Sequence, residues 1–218
     1  RYTQLYAAAL EHNVRLINSP EQSDTIMDFE KFYPLIKDLT PESFIVNKLQ
    51  DLKHLKMEFP LFIKGAIKSE KEKGWNACIV VDRKDLEKKC ETMFSRSYSA
   101  RNKAVLRKMI ELVHTQKTPA GFPMGKEYRV MLYNNRVIDY GYYWMTHNKI
   151  ETPSDSEDKI IRELAIEASQ RCGTPLTIVD VGQDVDNKWW VIEMGDPQFC
   201  GVTHISGNLF WHHLKDMV

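Results

Sequence analysis

Two acidic side chains near the end of the sequence stand where a β-strand would normally place apolar ones, and a third follows directly after. Asp180 lies in the run TIVDVG, Glu193 lies in the run WWVIEMG, and Asp196 follows the second run. The polar stretch between the two runs predicts a turn, so we expect the runs to form a hairpin. A buried carboxylate is costly unless it is paired or binds a cation, so these acids are candidates for a site.

The acids allow two interpretations. Oxygen ligands on two facing strands, with a third at a strand exit, suit a hard divalent cation. Alternatively, Asp180 and Glu193 face solvent on an edge hairpin and hold nothing. The pattern by itself leaves both interpretations open.

A basic group precedes these acids by about a hundred residues. Lys64 ends the apolar run PLFIKG, and an ammonium at that position needs an anion or solvent. The loop that follows contains Lys68 and one late glycine, Gly74. It either covers a polyphosphate or is a solvated hairpin tip. Neither G-x-x-x-x-G-K-[ST] nor G-x-G-x-x-G is present, which argues against P-loop and Rossmann sites.

Two further arginines lie in candidate strands. Arg107 belongs to AVLRKMIEL, which fits either a helix or a buried strand. Arg129 belongs to EYRVMLY and faces away from Tyr128 and Val130, so it either pairs with an acid or reaches an anionic ligand. Cations for a polyphosphate, together with carboxylates for a metal, are the parts that phosphoryl transfer needs.

Hairpins separated by helices must hold these residues, which predicts an α+β fold with antiparallel sheets. The clearest hairpin joins EYRVMLY to RVIDYGYYW through Asn134 and Asn135, residues that tolerate tight turns. Shorter strands are expected at VRLIN, SFIVNK and NACIVVD.

Amphipathic patterns predict the helices. One starts at Asp82 or Arg83, and another runs from a cap at Ser156 to Gly173. Others are expected over 3–13, 24–39, 49–59 and 205–218. Phe29 is expected to pack in the core, and Trp211 is expected to pack with Phe210 in the last helix.

Composition limits the class of protein. The 218 residues, 43% of them apolar, suit one large domain or two small lobes. Lys+Arg and Asp+Glu both number 30, which argues against a nucleic-acid partner and an anionic membrane surface. Four scattered cysteines indicate reduced thiols in an intracellular, cytoplasmic protein. No apolar run is long enough for a membrane span. Because the sequence begins at Arg1 rather than Met, we expect a missing N-terminal piece.

The sequence resembles the ATP-grasp superfamily, in particular the clade named for one arginine and two lysines. The resemblance covers about residues 40–215 and rests on PLFIKGAIK, AVLRKMIEL, EYRVMLYNNRVIDYGYYW and IVDVGQDVDNKWWVIEMGDPQFCGV. The last segment is the most specific of the four. The chain is also distantly similar to eukaryotic assembly factors of a translation initiation complex, which share the E-[FY]-R-V strand and the acidic hairpin.

The resemblance implies that ATP lies between two α+β lobes, 46–110 and 111–218, after an N-terminal segment over 1–45. It implies phosphate contacts from Lys64, Lys68 and Arg107, and an adenine site near Lys108, Met109 and Ile110. It implies catalytic roles for Lys68 and Arg129, with Arg129 contacting the γ-phosphate or the acylphosphate. It also implies that Mg²⁺ is held by Asp180, Glu193 and Asp196. Family members usually carry Asn where this chain has Gly195, so Asp196 is the substitute ligand.

The activity implied by the resemblance is that of an ATP- and Mg²⁺-dependent ligase. Such an enzyme activates a carboxylate as an acylphosphate, which an amine then attacks. The substrate would be a small molecule, a peptide or a protein. The alternative is an ATP-binding assembly factor or chaperone that binds a partner protein without turnover. The sequence predicts no oligomeric state.

Overall fold

The computed structural model describes residues 2–95, 100–145 and 152–218, and its fold is α+β, as predicted. The helices are α1 (Tyr2–Glu11), α2 (Pro20–Met27), α3 (Phe29–Ile36), α4 (Trp75–Cys78), α5 (Arg83–Phe94), α6 (Asp155–Cys172) and α7 (Gly207–Lys215). The strands are β1 (Ser43–Val46), β2 (Leu61–Lys64), β3 (Ile79–Val80), β4 (Ala104–Lys108), β5 (His114–Lys117), β6 (Pro123–Gly125), β7 (Glu127–Tyr133), β8 (Arg136–Tyr142), β9 (Leu176–Gln183) and β10 (Trp189–Gly195). No helix in these ranges is long and apolar enough to cross a membrane.

The chain forms two compact units, each made of separate stretches of sequence. The first unit comprises Arg1–Met27, Glu127–Val181 and Val191–Val218, and the second comprises Asp28–Lys126 and Gly182–Trp190. These limits differ from the predicted boundaries after residues 45 and 110. The turn of the last hairpin belongs to the second unit because its backbone bonds there: Val113 N–H donates to Gln183 O and Val185 N–H donates to Glu111 O.

The second unit contains a four-stranded sheet in the order β1-β4-β2-β3. The segment AVLRKMIEL, whose pattern fits either a helix or a strand, therefore contains strand β4. This strand pairs antiparallel with both β1 and β2. One face of the sheet carries Leu61, Ile63 and Leu106, which are buried in a core that also includes Leu86 and Cys90 of α5. Burial of this face leaves the opposite face for polar side chains.

The loop after β2 is held in place by the chain near Gly121. Gly74 has φ +85°, and a Cβ atom there would lie 2.4 Å from the carbonyl oxygen of Ala120. The ring of Trp75 contacts that of Phe122 edge to face, at 5.2 Å between centroids. The predicted loop therefore contains the single glycine that permits this close approach.

The first unit contains a second four-stranded sheet, in the order β10-β9-β7-β8. The predicted β7–β8 hairpin is confirmed, and both turn residues, Asn134 and Asn135, have positive φ. Helix α6 packs against this hairpin and ends at Gly173 in the left-handed conformation, as predicted. Helix α7 packs on β8 and buries Phe210 and Leu214.

Several local predictions are wrong. VRLIN forms no strand, because its β-propensity finds no partner strand there. NACIVVD begins with the helical turn α4, so only Ile79 and Val80 pair with β2. Ser154, not Ser156, caps α6, since Glu157 completes a capping box with it. Trp211 contacts the Phe210 ring edge to face at 5.0 Å between centroids, as predicted, but it is 65% exposed, whereas Phe210 and Leu214 are buried.

Two other helical predictions need adjustment. The segment 49–59 contains a 3₁₀ helix over Leu49–His54. The segment 24–39 is split between α2 and α3, and Asp28 caps the second of these. The polar composition of Thr146–Asp158 is typical of a loop; residues 146–151 lie outside the described residues, and α6 already begins at Asp155.

Candidate functional site

The polar face of the second unit's sheet holds two buried cations. Arg107 lies directly opposite Phe62 of β2, and Lys64 is two residues further along the same strand. Opposed residues share a face and so do alternate residues of a strand, so Lys64 and Arg107 project from the same face. Their exposed fractions are only 3% and 6%.

An aromatic ring lies next to both cations. The Lys64 Nζ atom and the Arg107 Cζ atom each lie 5.5 Å from the centre of the Phe29 ring. Arg107 also donates from Nη2 to the Thr40 hydroxyl over 2.7 Å. Asp28 caps the helix that carries Phe29. Cation–π contacts are worth about 0.5–2 kcal/mol, so the ring lowers the cost of placing two positive charges close together.

Loop contacts fix the position of that ring relative to β2. The Phe29 N–H donates to Ala66 O over 3.0 Å, just beyond Lys64. The predicted core position of Phe29 is confirmed, because the residue is fully buried. Sequence reasoning missed its contact with the cations, because a helix pattern does not show which side chains a buried ring will meet.

The remaining predicted nucleotide residues of this unit are more exposed. Lys68 is exposed in the loop after β2, and Lys108 is exposed at the end of β4. Met109 and Ile110 follow β4 and are half-buried. They are thus accessible to a ligand next to the strand that carries Arg107.

In the first unit, Arg129 binds Asp180. Arg129 donates from Nε to Oδ1 and from Nη2 to Oδ2 of Asp180, each over 2.8 Å, and from Nη1 to Gly201 O over 2.8 Å. Its Cζ atom is 4.8 Å from the centre of the Tyr143 ring. The exposed fractions of Arg129 and Asp180 are 8% and 2%. Of the two possibilities for Arg129, pairing with an acid is confirmed, and a solvent-facing Asp180 is wrong.

Arg129 remains positively charged in this environment. Burial opposes the charged form, but the charge of Asp180 and its hydrogen bonds more than offset that effect and raise the pKa of Arg129 above its usual range. A guanidinium with two parallel donors matches the carboxylate geometrically, so the pair is well suited to a fixed orientation.

The other two predicted acids differ in their surroundings. Glu193 is half-buried in β10. Asp196 is fully buried and caps a 3₁₀ helix, Pro197–Phe199, by accepting from Gln198 N–H over 3.0 Å. Its Oδ2 accepts from Asn18 Nδ2 over 3.1 Å, and the side-chain amide of Gln198 donates to both oxygens over 3.2 Å. Sequence reasoning missed Asn18 because it lies 178 residues away in sequence.

Cys200 is a common neighbour of these charged groups. Its pKa is raised to about 12, mainly by burial and further by the charges of Asp180, Glu193 and Asp196, while Arg129 acts in the opposite direction. Its Sγ atom lies 3.0 Å from where a Cβ atom at Gly195 would be. The thiol therefore occupies the space that a side chain at position 195 would need.

These positions do not form a ready metal centre. Within 2–95, 100–145 and 152–218, no three or more His, Cys, Asp or Glu side chains are grouped to hold a metal ion. Both oxygens of Asp180 are engaged by Arg129, and both oxygens of Asp196 accept protein hydrogen bonds. The predicted ligands Asp180, Glu193 and Asp196 therefore do not fit Mg²⁺ in this conformation. The cysteines in the described ranges are free thiols, as predicted.

Comparison with known proteins supports the resemblance. The family model that matches is the third family of the ATP-grasp clade named for one arginine and two lysines, and it covers residues 44–214, well over half of the chain. No curated protein sequence matches the chain.

Solved structures share the fold. D-alanine–D-alanine ligase from Bacillus anthracis complexed with ATP has a TM-score of 0.64 and 15% identity, and the match covers 89% of this chain and 62% of that one. VanG D-Ala:D-Ser ligase from Enterococcus faecalis has a TM-score of 0.65 and 13% identity, and the match covers 97% of this chain and 64% of that one. L-amino acid ligase from Bacillus licheniformis has a TM-score of 0.59 and 17% identity, and the match covers 88% of this chain and 45% of that one.

The chain thus spans less than two thirds of the length of these three ligases, and at such identities the likeness shows the fold alone. The family match carries the assignment further, because it covers the strands that hold Lys64, Arg107, Arg129 and Asp180. The chain belongs to the ATP-grasp superfamily, in the third family of its one-arginine, two-lysine clade.

Proposed function

We propose that the chain binds ATP and uses it to activate a carboxylate for attack by an amine. The family assignment supports ATP binding, and three proteins that share the fold are named as amino-acid ligases. The observation that carries the proposal is the pair of buried cations, Lys64 and Arg107, on one sheet face beside Phe29. The acceptor and donor are proposed to be small molecules, peptides or proteins.

In the second unit, Lys64 and Arg107 are proposed to bind phosphate oxygens. Arg107 presents a planar set of donors and Lys64 a point charge, and both suit a polyphosphate. Lys68 is exposed and is proposed to supply a further charge from the loop. The half-buried Met109 and Ile110, with Lys108, are proposed to line the adenine site.

In the first unit, Arg129 is proposed to keep its bonds to Asp180 and Gly201 and to use the remaining N–H groups of its guanidinium to stabilise the charge that develops on the transferred phosphoryl group. A carboxylate oxygen of the substrate attacks the γ-phosphorus, the bond to the β-phosphate oxygen breaks, and ADP leaves. The amine then attacks the acyl carbon, inorganic phosphate leaves, and the amine gives up a proton. The protein contributes charge and orientation to both steps. No step is assigned to a metal, because the predicted ligands do not fit one.

Binding of a non-hydrolysable ATP analogue tests the cation site. Lys64→Met and Arg107→Met should each weaken binding by about 1.5–3 kcal/mol, roughly 10- to 150-fold, because each removes a charged hydrogen bond. Lys84→Met is the matched control, since Lys84 is exposed on α5. Isothermal titration measures all three affinities. Equal affinity in the Lys64 and Lys84 variants would exclude Lys64 from the site.

One observation favours a second function, that of an ATP-binding assembly factor without turnover. Asp180 is held by Arg129, and the described residues show no grouped metal ligands. Release of ADP and phosphate distinguishes the two functions. Release that depends on adding both a carboxylate and an amine supports the ligase. Tight analogue binding without ATP consumption, across a panel of amino acids and peptides, supports the assembly factor.

A further inference from the structure

We propose that the guanidinium of Arg129 is the resident cation of Asp180, so that a divalent metal binds this carboxylate only by displacing the arginine. The proposal rests on the proposed function only in placing Asp180 in the nucleotide site. The arrangement of the side chains carries the rest of it.

The first support is the fork between the two side chains. Two nitrogens of Arg129 meet the two oxygens of Asp180, each over 2.8 Å, so one cation already covers both oxygens that a metal would use. The acid is 2% exposed, which leaves it little access to solvent or ions on any other side.

The second support is that Arg129 is anchored on the sides away from Asp180. Nη1 donates to Gly201 O over 2.8 Å, and the Tyr143 ring lies 4.8 Å from Cζ. Displacement of Arg129 would break these contacts as well as the ion pair. A metal must therefore offset several interactions to bind at Asp180.

The third support is that neighbouring positions do not offer ready substitute ligands. Gly195 carries no side chain, and the Cys200 thiol fills the space beside it. Asp196 is fully buried, with Asn18 and Gln198 donating to its oxygens. Two of the three predicted metal ligands, Asp180 and Asp196, thus have both carboxylate oxygens hydrogen-bonded to protein side chains or backbone.

Binding of Mn²⁺ without nucleotide tests the inference. Arg129→Met should bind Mn²⁺ about tenfold or more tightly than the unsubstituted chain, because the competing charged hydrogen bonds are gone. Arg162→Met is the matched control, since Arg162 also pairs with an aspartate. Its partner is Asp158 on the same helix, not Asp180, and the pair is partly exposed. This variant should bind Mn²⁺ like the unsubstituted chain. Electron paramagnetic resonance of free Mn²⁺ measures each affinity.

The gain must depend on Asp180. Arg129→Met combined with Asp180→Asn should return Mn²⁺ affinity to that of the unsubstituted chain, and a gain that persists in the double variant would overturn the proposal. So would Mn²⁺ binding that is equally tight in the unsubstituted chain and in Arg129→Met. A purely structural role for Arg129 predicts unchanged or weaker Mn²⁺ binding.

A charge-conserving variant covers the case in which Arg129→Met does not fold. Arg129→Lys keeps the positive charge but cannot span both oxygens, so it should bind Mn²⁺ more tightly than the unsubstituted chain, and equal affinity would contradict the proposal. Analogue binding by Lys64→Met is a separate measurement. Unchanged analogue affinity in Lys64→Met would contradict the proposed function, and the conclusion from Mn²⁺ binding would be unaffected.

Discussion

The first unit contains two arginine–aspartate pairs of nearly the same chemistry in different surroundings. Arg129 and Asp180 belong to two strands of a sheet, with side chains 10% and 3% exposed. Arg162 and Asp158 lie one turn apart on α6, 41% and 35% exposed. Each guanidinium also lies on a tyrosine ring, at 4.8 and 4.7 Å from its centre.

The two pairs differ both in donor geometry and in burial. Arg129 uses Nε and Nη2 on the two oxygens of Asp180, whereas Arg162 uses Nε alone on both oxygens of Asp158. Burial is expected to make the larger difference, because it decides whether solvent can replace a lost partner. In water an exposed pair gains about 0–1 kcal/mol, whereas breaking a buried pair leaves a charge that solvent cannot reach. Only the buried pair is therefore expected to control stability and ligand access together.

The largest expected effect is that of Asp180→Ala. The substitution leaves Arg129 buried without its carboxylate and should lower the free energy of unfolding by about 3–5 kcal/mol. Urea denaturation followed by circular dichroism measures the loss. A loss below about 1 kcal/mol would show that burial does not distinguish this pair from the exposed one.

An intermediate effect is expected when both partners are replaced together. Arg129→Met with Asp180→Leu removes both charges and keeps apolar volume, so the double variant should be more stable than Asp180→Ala by about 2 kcal/mol or more. The same urea titration compares them. A double variant as unstable as Asp180→Ala would mean that the cost is lost packing and not an uncompensated charge.

The smallest effect is expected from Arg162→Met, about 0.5 kcal/mol or less near neutral pH. The pKa of Asp158 is lowered, chiefly by the Tyr140 hydroxyl and also by Arg162, against an opposing effect of burial. A lowered pKa gives stability that is present above the ordinary value of 3.8 and is lost as pH falls through the folded value. The difference in stability between Arg162→Met and the unsubstituted chain should therefore shrink as pH falls below 3.8. Thermal unfolding between pH 7 and 3 checks this, and a difference that grows in acid would contradict it.

Local patterns predicted much of the fold. The β7–β8 hairpin follows from strand-like runs around Asn134 and Asn135, and α5 follows from its Asp82 cap. Both depend on residues close in sequence, where turn and cap chemistry act. The error at α6 is of the same local kind: Ser154 and Ser156 can both cap a helix, and Glu157 decides between them.

The candidate site was less predictable, because its partners are distant in sequence. The pattern placed Arg129 on a strand but not opposite any particular acid, and Asp180 is 51 residues away. Periodicity placed Phe29 in the core but did not place its ring beside Lys64 and Arg107. Such pairings follow from strand order and packing, which the sequence pattern does not specify.

Asn18 has a consequence for the limits of the domain. Its side-chain amide accepts from Leu176 N–H over 2.9 Å and donates to Leu176 O over 2.7 Å, as the backbone of a neighbouring strand would. One side chain thus completes the ladder at the start of β9, although residue 18 lies outside the family match over 44–214. The boundary of the sequence family is not the boundary of the folding unit. A chain trimmed to the family limits would expose a strand end that the full chain closes with a single asparagine.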